Sequence, residues 1–188
     1  EQGQRRLSES SVLVVGAGGL GVPALLYLTA AGVGRITVVD PDLVELSNLH
    51  RQVLYTEADI GRPKAEVAAL ALRARNSEVE IITLCERLTT ENAVSMISGN
   101  DLVIDGSDSI ETRYAIDDAC VEAGVAWVHA AIHRFEGQVS CFNVDGGSRY
   151  RDLFPEPPEE GSVPDCAEAG VLGALPGILG SIQAAEAL

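Results

Sequence analysis

The amino-acid sequence predicts an α/β fold with a mostly parallel sheet, helices on both faces of that sheet and an antiparallel extension toward the C-terminus. Three observations lead to this fold class. Short runs of branched apolar residues alternate with longer stretches typical of helices. A turn with the spacing G-x-G-x-x-G follows the first apolar run, and the second apolar run ends at Asp40. This order of strand, turn, helix, strand and acid is typical of a Rossmann-like nucleotide-binding fold.

The predicted strands are short and apolar, and they cover residues 12–15, 35–39, 79–84, 101–104, 126–131 and 138–142. The predicted helices lie between them and cover residues 20–31, 64–75, 92–97 and 112–123. Pro63 marks the start of the helix at residue 64, and a last helix is predicted over residues 172–188 despite Pro176 near its start. Strands that alternate with helices favour a parallel sheet buried on both faces.

Gly16, Gly18, Gly19 and Gly21 form the turn after the first strand. Glycines allow a tight turn and let the backbone approach a phosphate group, while the N-terminus of the following helix attracts anions. Asp40 follows the second strand, where its carboxylate can accept hydrogen bonds from ribose hydroxyls. The sequence therefore predicts a bound nucleotide.

The composition limits the classes of function. The chain has 188 residues, enough for one domain with a sizeable core, and its formal net charge is −15. This acidity argues against a nucleic-acid partner, because binding a phosphate backbone requires clustered Lys and Arg. No apolar run reaches about 18 residues and no signal peptide is recognisable, so we expect no membrane span and a cytoplasmic location.

The chain has four cysteines, Cys85, Cys120, Cys141 and Cys166. None of them forms a C-x-x-C pair, so a zinc site built from these thiols is not expected. The first three lie in apolar or helical surroundings, and we expect them to be buried and reduced. His129 and His133 are four residues apart, but they fall on a predicted strand and its exit, so we expect no metal pair there.

Residues 145–170 form the main irregular stretch and are rich in Gly, Pro, Asp and Glu. A loop of this length is usually functional or mobile, and we expect a mobile crossover loop. The chain begins without Met and stops at Leu188 inside a helical pattern, so we interpret it as shortened at both ends.

A second group of candidate site residues follows Asp40. Asn48 and Arg51 have the spacing of neighbours on one face of a helical turn, and the planar guanidinium of an arginine can bind phosphates. The alternative is a solvated turn with a surface arginine. Lys64 lies in the first turn of a predicted helix, where the dipole disfavours a cation, so a nearby phosphate would explain it. The alternative is a surface lysine whose stem covers apolar atoms.

Two carboxylates lie at and just after the end of the predicted fourth strand. Asp105 closes the strand and Asp108 follows in the turn, at the edge of the sheet that faces a ligand crevice. Asp108 has the chemistry to hold Mg²⁺ against nucleotide phosphates, with Asp105 as a structural acid. The alternative is that Asp108 or Ser109 is the N-cap of the next helix.

Taken together, these motifs resemble the ThiF/MoeB/HesA superfamily, the bacterial relatives of ubiquitin-activating enzymes. The matching segments are residues 12–21 (VLVVGAGGLG), 36–42 (ITVVDPD), 46–52 (LSNLHRQ), 61–64 (GRPK), 101–108 (DLVIDGSD), 136–138 (EGQ), 150–158 (YRDLFPEPP) and 166–171 (CAEAGV). The resemblance spans nearly the whole chain and implies a single adenylation domain over residues 1–188.

The resemblance implies an adenylyltransferase that uses MgATP to adenylate the C-terminal glycine of a ubiquitin-like sulfur carrier ending in Gly-Gly, and releases pyrophosphate. The adenylate is a step toward a thiocarboxylate for molybdopterin, thiamine or related sulfur chemistry. A homodimer is also implied. The implied nucleotide contacts are Gly16, Gly18, Gly19, Gly21, Asp40, Asn48, Arg51, Gln52 and Lys64. The implied catalytic residues are Arg51, Lys64, Asp108 and Cys166, with Asp108 at Mg²⁺.

The sequence departs from the family pattern in three respects, the last of which is that the C-terminal strands that complete the carrier-binding sheet are missing. Many members carry two C-x-x-C pairs that bind structural zinc, but the first pair would fall at Arg149 and Asp152, so no structural zinc is expected. The family also has an N-terminal arginine that reaches the ATP of the partner subunit, and Arg5 and Arg6 lie just after that region. Cys166 is either a nucleophile toward the carrier or a structural residue, and its acidic neighbours would raise a thiol pKa.

Two other function classes stay open from the sequence alone. A nicotinamide-dependent oxidoreductase would use the glycine turn and Asp40, but it leaves Arg51, Lys64 and Asp108 unexplained. A non-catalytic scaffold subunit of an activating enzyme would have no need of those three residues.

Overall fold

The computed structural model of the protein describes residues 1–158 and 171–188. Within these residues, six strands form one sheet in the order β3-β2-β1-β4-β5-β6. The strands are β1 (Ser11–Val15), β2 (Arg35–Val39), β3 (Glu80–Leu84), β4 (Leu102–Asp105), β5 (Ala126–His133) and β6 (Glu136–Phe142). The first five strands are parallel and β6 pairs antiparallel with β5, so the predicted sheet and its antiparallel extension are confirmed.

The helices that the sequence predicts are also present. In chain order the helices are α1 (Gln2–Glu9), α2 (Gly21–Ala31), α3 (Lys64–Arg75), α4 (Ala93–Ile97), α5 (Ile110–Ala123), α6 (Tyr150–Leu153) and α7 (Ala174–Ala187). Shorter 3₁₀ turns occur at Leu46–Asn48, Glu57–Asp59 and Val144–Gly146. Helix α1 was not predicted, because Leu7 is its only large apolar residue and the segment has no apolar stripe. The single-turn helix α6 was not predicted either.

The core lies on both faces of the sheet because successive strand residues point to opposite sides. Along β1 all five residues are buried. Val12 and Val14 belong to the cluster under α2 and α3, whereas Leu13 and Val15 belong to the cluster under α4 and α5. Burial on both faces explains the continuous branched apolar runs of these strands.

Helix α7 closes the sheet on the side of β5 and β6. Leu179 packs with Leu20 and Ala130 in a small third cluster. Gln183 is fully buried, and its Nε2 donates hydrogen bonds to the carbonyl oxygens of Asp105 at 2.7 Å and Val128 at 3.1 Å. The C-terminal helix is thereby attached to the last residue of β4 and to the first half of β5.

Residues 145–170 were predicted to form a mobile crossover loop. The described part of this stretch contains the last two residues of the 3₁₀ turn Val144–Gly146 and all of α6. Residues 159–170, which include Cys166, lie outside the described part of the chain. In the described ranges, no helix is long and apolar enough to cross a membrane.

The sheet changes winding direction between β1 and β4, and three glycine backbones meet there. Gly16 has a left-handed φ of +90°, and a Cβ on it would lie 2.7 Å from the carbonyl oxygen of Gly106. A Cβ on Gly21 would overlap the carbonyl oxygen of Gly16. The loops after β1 and β4 can approach this closely only because these residues have no side chain.

Gly21→Ala should therefore destabilise the fold. We expect the free energy of unfolding to fall by about 1–3 kcal/mol, the usual effect of overpacking, in urea denaturation. Gly3→Ala is the matched control because nothing lies within 4 Å of a Cβ at that position, and it should be neutral or slightly stabilising in helix α1. Unchanged stability of the Gly21 variant would contradict the packing argument.

Candidate functional site

A cavity of about 520 Å³ opens at the carboxyl ends of β1, β2 and β4. Its position follows from the strand order, because the chain leaves β1 and β4 in opposite directions and a crevice forms between their loops. The volume suits a small-molecule ligand such as a nucleotide. Most of the predicted site residues line it, namely Gly16, Gly18, Gly19, Asp40, Asn48, Arg51, Gln52, Lys64 and Asp108. Gly21 does not line the cavity, but it packs against Gly16, which does.

The glycine turn forms one wall of the cavity. Helix α2 begins at Gly21, directly after the turn, so its free N–H groups lie beside the cavity-lining glycines. A Cβ on Gly18 would meet only the Gln52 amide, at 3.5 Å, whereas one on Gly19 would lie 3.0 Å from Pro176 of α7. The turn thus offers backbone donors and a positive dipole end to an anion.

Asp40 is buried at the end of β2. Its two oxygens accept hydrogen bonds from the backbone N–H groups of Ala17 at 2.7 Å and Asp42 at 2.8 Å. Burial raises the pKa of this carboxyl above its ordinary value, and the two backbone hydrogen bonds oppose that shift. These bonds connect the second strand to the glycine turn, while the carboxylate still borders the cavity where a ribose is predicted.

Lys64 is buried at the first position of α3, so the alternative of a surface lysine is wrong. Its Nζ lies 2.9 Å from an Asp42 carboxylate oxygen, and its backbone N–H donates to the Asp42 carbonyl at 2.9 Å. The side chain of Asp42 is 55% exposed, whereas that of Lys64 is 7% exposed. The Lys64 ammonium therefore lies at the cavity wall, and its counter-ion, the Asp42 carboxylate, is largely solvated. The ammonium can thus also bind an incoming phosphate.

Asn48 ends the 3₁₀ turn Leu46–Asn48, and the backbone N–H of Arg51 donates to its carbonyl oxygen at 3.1 Å, so the two residues lie within one turn as their spacing predicted. Arg51 is half-buried, and its Nη1 donates to the Ser47 carbonyl at 3.2 Å and lies 2.9 Å from Nε2 of His50. Next to it, Gln52 is buried, and its Oε1 has no hydrogen-bond partner among the described residues. A buried amide oxygen at a cavity wall is a polar group that a ligand donor would satisfy.

The two carboxylates after β4 have different surroundings. Asp105 is fully buried and accepts hydrogen bonds from Ser107 N at 3.0 Å and Ser107 Oγ at 2.6 Å, while its second oxygen lies 2.9 Å from Nδ1 of His129. Asp108 is exposed at the cavity, and no hydrogen bond to its carboxylate is found in the described part of the chain. Ser109, not Asp108, caps helix α5 by accepting from Thr112 N at 3.2 Å.

Several residues that line the cavity were not predicted from the sequence. Glu86, Arg87 and Leu88 follow β3, and Arg113 lies in the first turns of α5. The carboxyl-end rule, applied to the third strand, was the signal that could have found the first three. Pro176 belongs to α7, and no local pattern in the sequence places it beside the glycine turn.

Only one of the three cysteines that were predicted to be buried is buried. Cys120 is buried as expected, but Cys85 and Cys141 are exposed, because one follows β3 directly and the other lies on β6 at the sheet edge. His129 is buried and His133 is exposed on the same strand, about 13 Å away at the usual rise per residue. In the described ranges, no cluster of three or more His, Cys, Asp or Glu is arranged to hold a metal.

Ion pairs occupy the position where the family pattern would place the first zinc cysteines. Asp117 is buried and accepts from the backbone N–H of Tyr150 at 2.9 Å. Arg149 and Arg151 both reach Asp118, with Nη2–Oδ distances of 3.0 and 2.6 Å. The Arg149 backbone N–H donates to Asp152 at 2.8 Å. These arginines and carboxylates are paired with one another, and they lack the thiolate ligands of a structural zinc site.

The sequence model of the ThiF family matches residues 1–188. The chain belongs to the ThiF family. This confirms the resemblance drawn from the motifs.

Two curated relatives of this ThiF-family chain are close in sequence. It is 55% identical over 192 residues to the sulfur carrier protein adenylyltransferase of Thermus thermophilus, covering all of this chain and 71% of that protein. It is 51% identical over 187 residues to the SAMP-activating enzyme E1 of Haloferax volcanii, covering all of this chain and 69% of that protein.

Two solved structures resemble the fold. The E. coli MccB complex with AMPCPP and MccA has a TM-score of 0.82 at 21% identity, over 98% of this chain and 56% of that chain, and the likeness concerns the fold alone. The E. coli tRNA N6-threonylcarbamoyladenosine dehydratase TcdA, in complex with ATP, has a TM-score of 0.66 at 27% identity, over 70% of this chain and 60% of that chain.

The geometry predicts that Lys64 binds a phosphate. Lys64→Met keeps the apolar stem and removes the charge, so we expect ATP to bind about tenfold to a hundredfold more weakly in titration calorimetry with Mg²⁺. Arg62→Met is the matched control, because Arg62 pairs with Asp59 at 2.8 Å and does not line the cavity. Equal ATP affinity of the Lys64 variant and the wild type would remove this role.

Proposed function

We propose that this chain adenylates the C-terminal glycine of a ubiquitin-like sulfur-carrier protein, using ATP and Mg²⁺ and releasing pyrophosphate. The observation that carries the proposal is the charge arrangement at one cavity. Arg51 and Lys64 border it, as do Arg87 and Arg113, together with a free carboxylate, Asp108, and the acid Asp40. This set suits a magnesium-bound triphosphate with its ribose. The names of the two curated relatives support the same activity.

Magnesium fits the donors that the chain offers. Mg²⁺ usually binds one or two carboxylates and takes its other ligands from substrate phosphates and water. Asp108 is a carboxylate at the cavity without a partner in the described part of the chain, and it lies in the loop after β4 that meets the glycine turn, so we assign it as the residue that would hold the ion. Bound there, Mg²⁺ would neutralise charge on the phosphates.

The protein side chains stabilise the transfer of the adenylyl group. A carboxylate oxygen of the carrier glycine attacks the α-phosphorus, and the bond from that phosphorus to the oxygen that bridges to the β-phosphorus breaks. Pyrophosphate leaves with the electron pair. Arg51 and Lys64 stabilise the charge on the departing phosphates, and Asp40 orients the ribose. No general base is needed, since the attacking carboxylate is already ionised.

The later steps and the assembly are part of the same proposal. The adenylate is converted to a thiocarboxylate when a sulfur donor displaces AMP, and Cys166 is a candidate nucleophile toward the adenylate. The protein acts as a homodimer in the cytoplasm. Free Cys85, Cys120 and Cys141 support a reducing compartment.

A nicotinamide-dependent oxidoreductase is the competing class. It would use the glycine turn and Asp40 in the same way. It gives no function to Lys64, a buried cation at the cavity wall, or to the free carboxylate of Asp108. The adenylation proposal uses all of these groups, and we therefore prefer it.

Exchange of labelled pyrophosphate into ATP tests the proposed function. We expect exchange that requires Mg²⁺ and a carrier ending in Gly-Gly, because the reverse reaction needs the carrier adenylate. The control is the same carrier without its last glycine, which should support no exchange. Equal exchange with the intact and the shortened carrier would contradict the proposal, and so would the absence of exchange with any Gly-Gly carrier.

The role of Cys166 is separable in the same assay. Cys166→Ala should retain pyrophosphate exchange, because a thiol attacks the acyl adenylate only after it has formed. A covalent carrier adduct, seen by intact mass under turnover, should be lost in this variant and retained in Cys141→Ala. Loss of exchange in the Cys166 variant, or an adduct that survives in it, would contradict this order of steps.

A further inference from the structure

His129 is a buried polar side chain that the proposed reaction does not yet use. It is 1% exposed on β5, and its Nδ1 lies 2.9 Å from an oxygen of Asp105, which is fully buried at the end of β4. Since a carboxylate oxygen can only accept, the imidazole donates from Nδ1. Arg113 Nε is farther away, at 3.8 Å from the same oxygen. His129 therefore makes the shorter side-chain contact with this oxygen in the described structure.

The other oxygen of Asp105 determines the path of the loop that carries Asp108. It accepts both the backbone N–H and the hydroxyl of Ser107. At the far end of the loop, Ser109 accepts from Thr112 N and begins helix α5. Asp108 lies between these two attachments and has no hydrogen bond of its own in the described part of the chain. Its direction is set by its neighbours.

The imidazole is itself held in one orientation. Its ring lies 5.2 Å from that of Tyr150 and 5.6 Å from that of Trp127, both at steep angles. Gln183 donates to the carbonyls of Asp105 and Val128, so the two strands that carry the contact, β4 and β5, are also bridged by two hydrogen bonds from this side chain. This packing leaves the His129 ring little freedom to turn away from Asp105.

We propose that His129 is a positioning residue for the magnesium carboxylate. It acts through Asp105 and Ser107 to hold Asp108 toward the cavity, and it touches neither nucleotide nor carrier. The inference rests on the proposed function, because it requires that the cavity binds ATP with Mg²⁺. Residues that orient a metal ligand typically change metal affinity about tenfold to a hundredfold when they are removed.

The experiment compares ATP binding with and without Mg²⁺ by titration calorimetry. His129→Leu removes the donor at similar volume, whereas His129→Asn keeps an N–H donor near the position of Nδ1. We expect the leucine variant to lose about tenfold or more of the affinity that Mg²⁺ adds, with ATP affinity in EDTA unchanged. The asparagine variant should recover most of the loss. Exposed His133→Leu is the control on the same strand and should match the wild type.

A second variant guards against a leucine protein that fails to fold. Ser107→Ala interrupts the same chain of contacts in the loop, outside the core, and should also weaken the Mg²⁺ effect while the circular dichroism spectrum is kept. Wild-type Mg²⁺ dependence in any folded His129→Leu or Ser107→Ala protein would overturn the inference alone. A wild type that binds ATP equally with and without Mg²⁺ would overturn the magnesium part of the proposed function as well.

Discussion

The close approach of three glycine backbones is the constraint on which the rest of the structure depends. Gly16, Gly21 and Gly106 allow the loops after β1 and β4 to meet at the point where the sheet changes winding direction. A side chain at Gly16 would meet the loop after β4, and one at Gly21 would overlap the carbonyl oxygen of Gly16 within the turn itself. The contact between the two loops forms the floor of the cavity and brings the helix start of α2 beside the Asp108 loop.

The second constraint is electrostatic. The chain is strongly acidic, yet four cationic side chains of the described residues line the cavity, Arg51, Lys64, Arg87 and Arg113, and Lys64 is buried. The charge on Lys64 is tolerated because Asp42 lies 2.9 Å away, and Asp42 is in turn connected to Asp40 through a backbone hydrogen bond. A site that keeps cations beside carboxylates is suited to a ligand that brings both phosphates and a divalent metal.

Much of the fold was predictable because strand runs and glycine turns are local signals. Arg35–Val39 and Lys64–Arg75 match their predicted limits, and the carboxyl-end rule brought Asp40 and Asp108 to one edge. Helix α1 has no apolar stripe, so no periodicity marked it. The contact between His129 and Asp105 joins residues 24 positions apart on adjacent strands, and the exposure of Cys85 depends on the end of β3. Such features require the tertiary structure.

The most direct test of the central claim is a competition between nucleotides for the cavity. Calorimetric titration of the wild-type chain should show saturable ATP binding in the presence of Mg²⁺, and no displacement of that ATP by NADH at the same concentrations. The cavity accounts for this choice because Arg51, Lys64 and Asp108 suit a metal-bound triphosphate. Tight NADH binding with no detectable ATP binding would contradict the claim and return the chain to the oxidoreductase class.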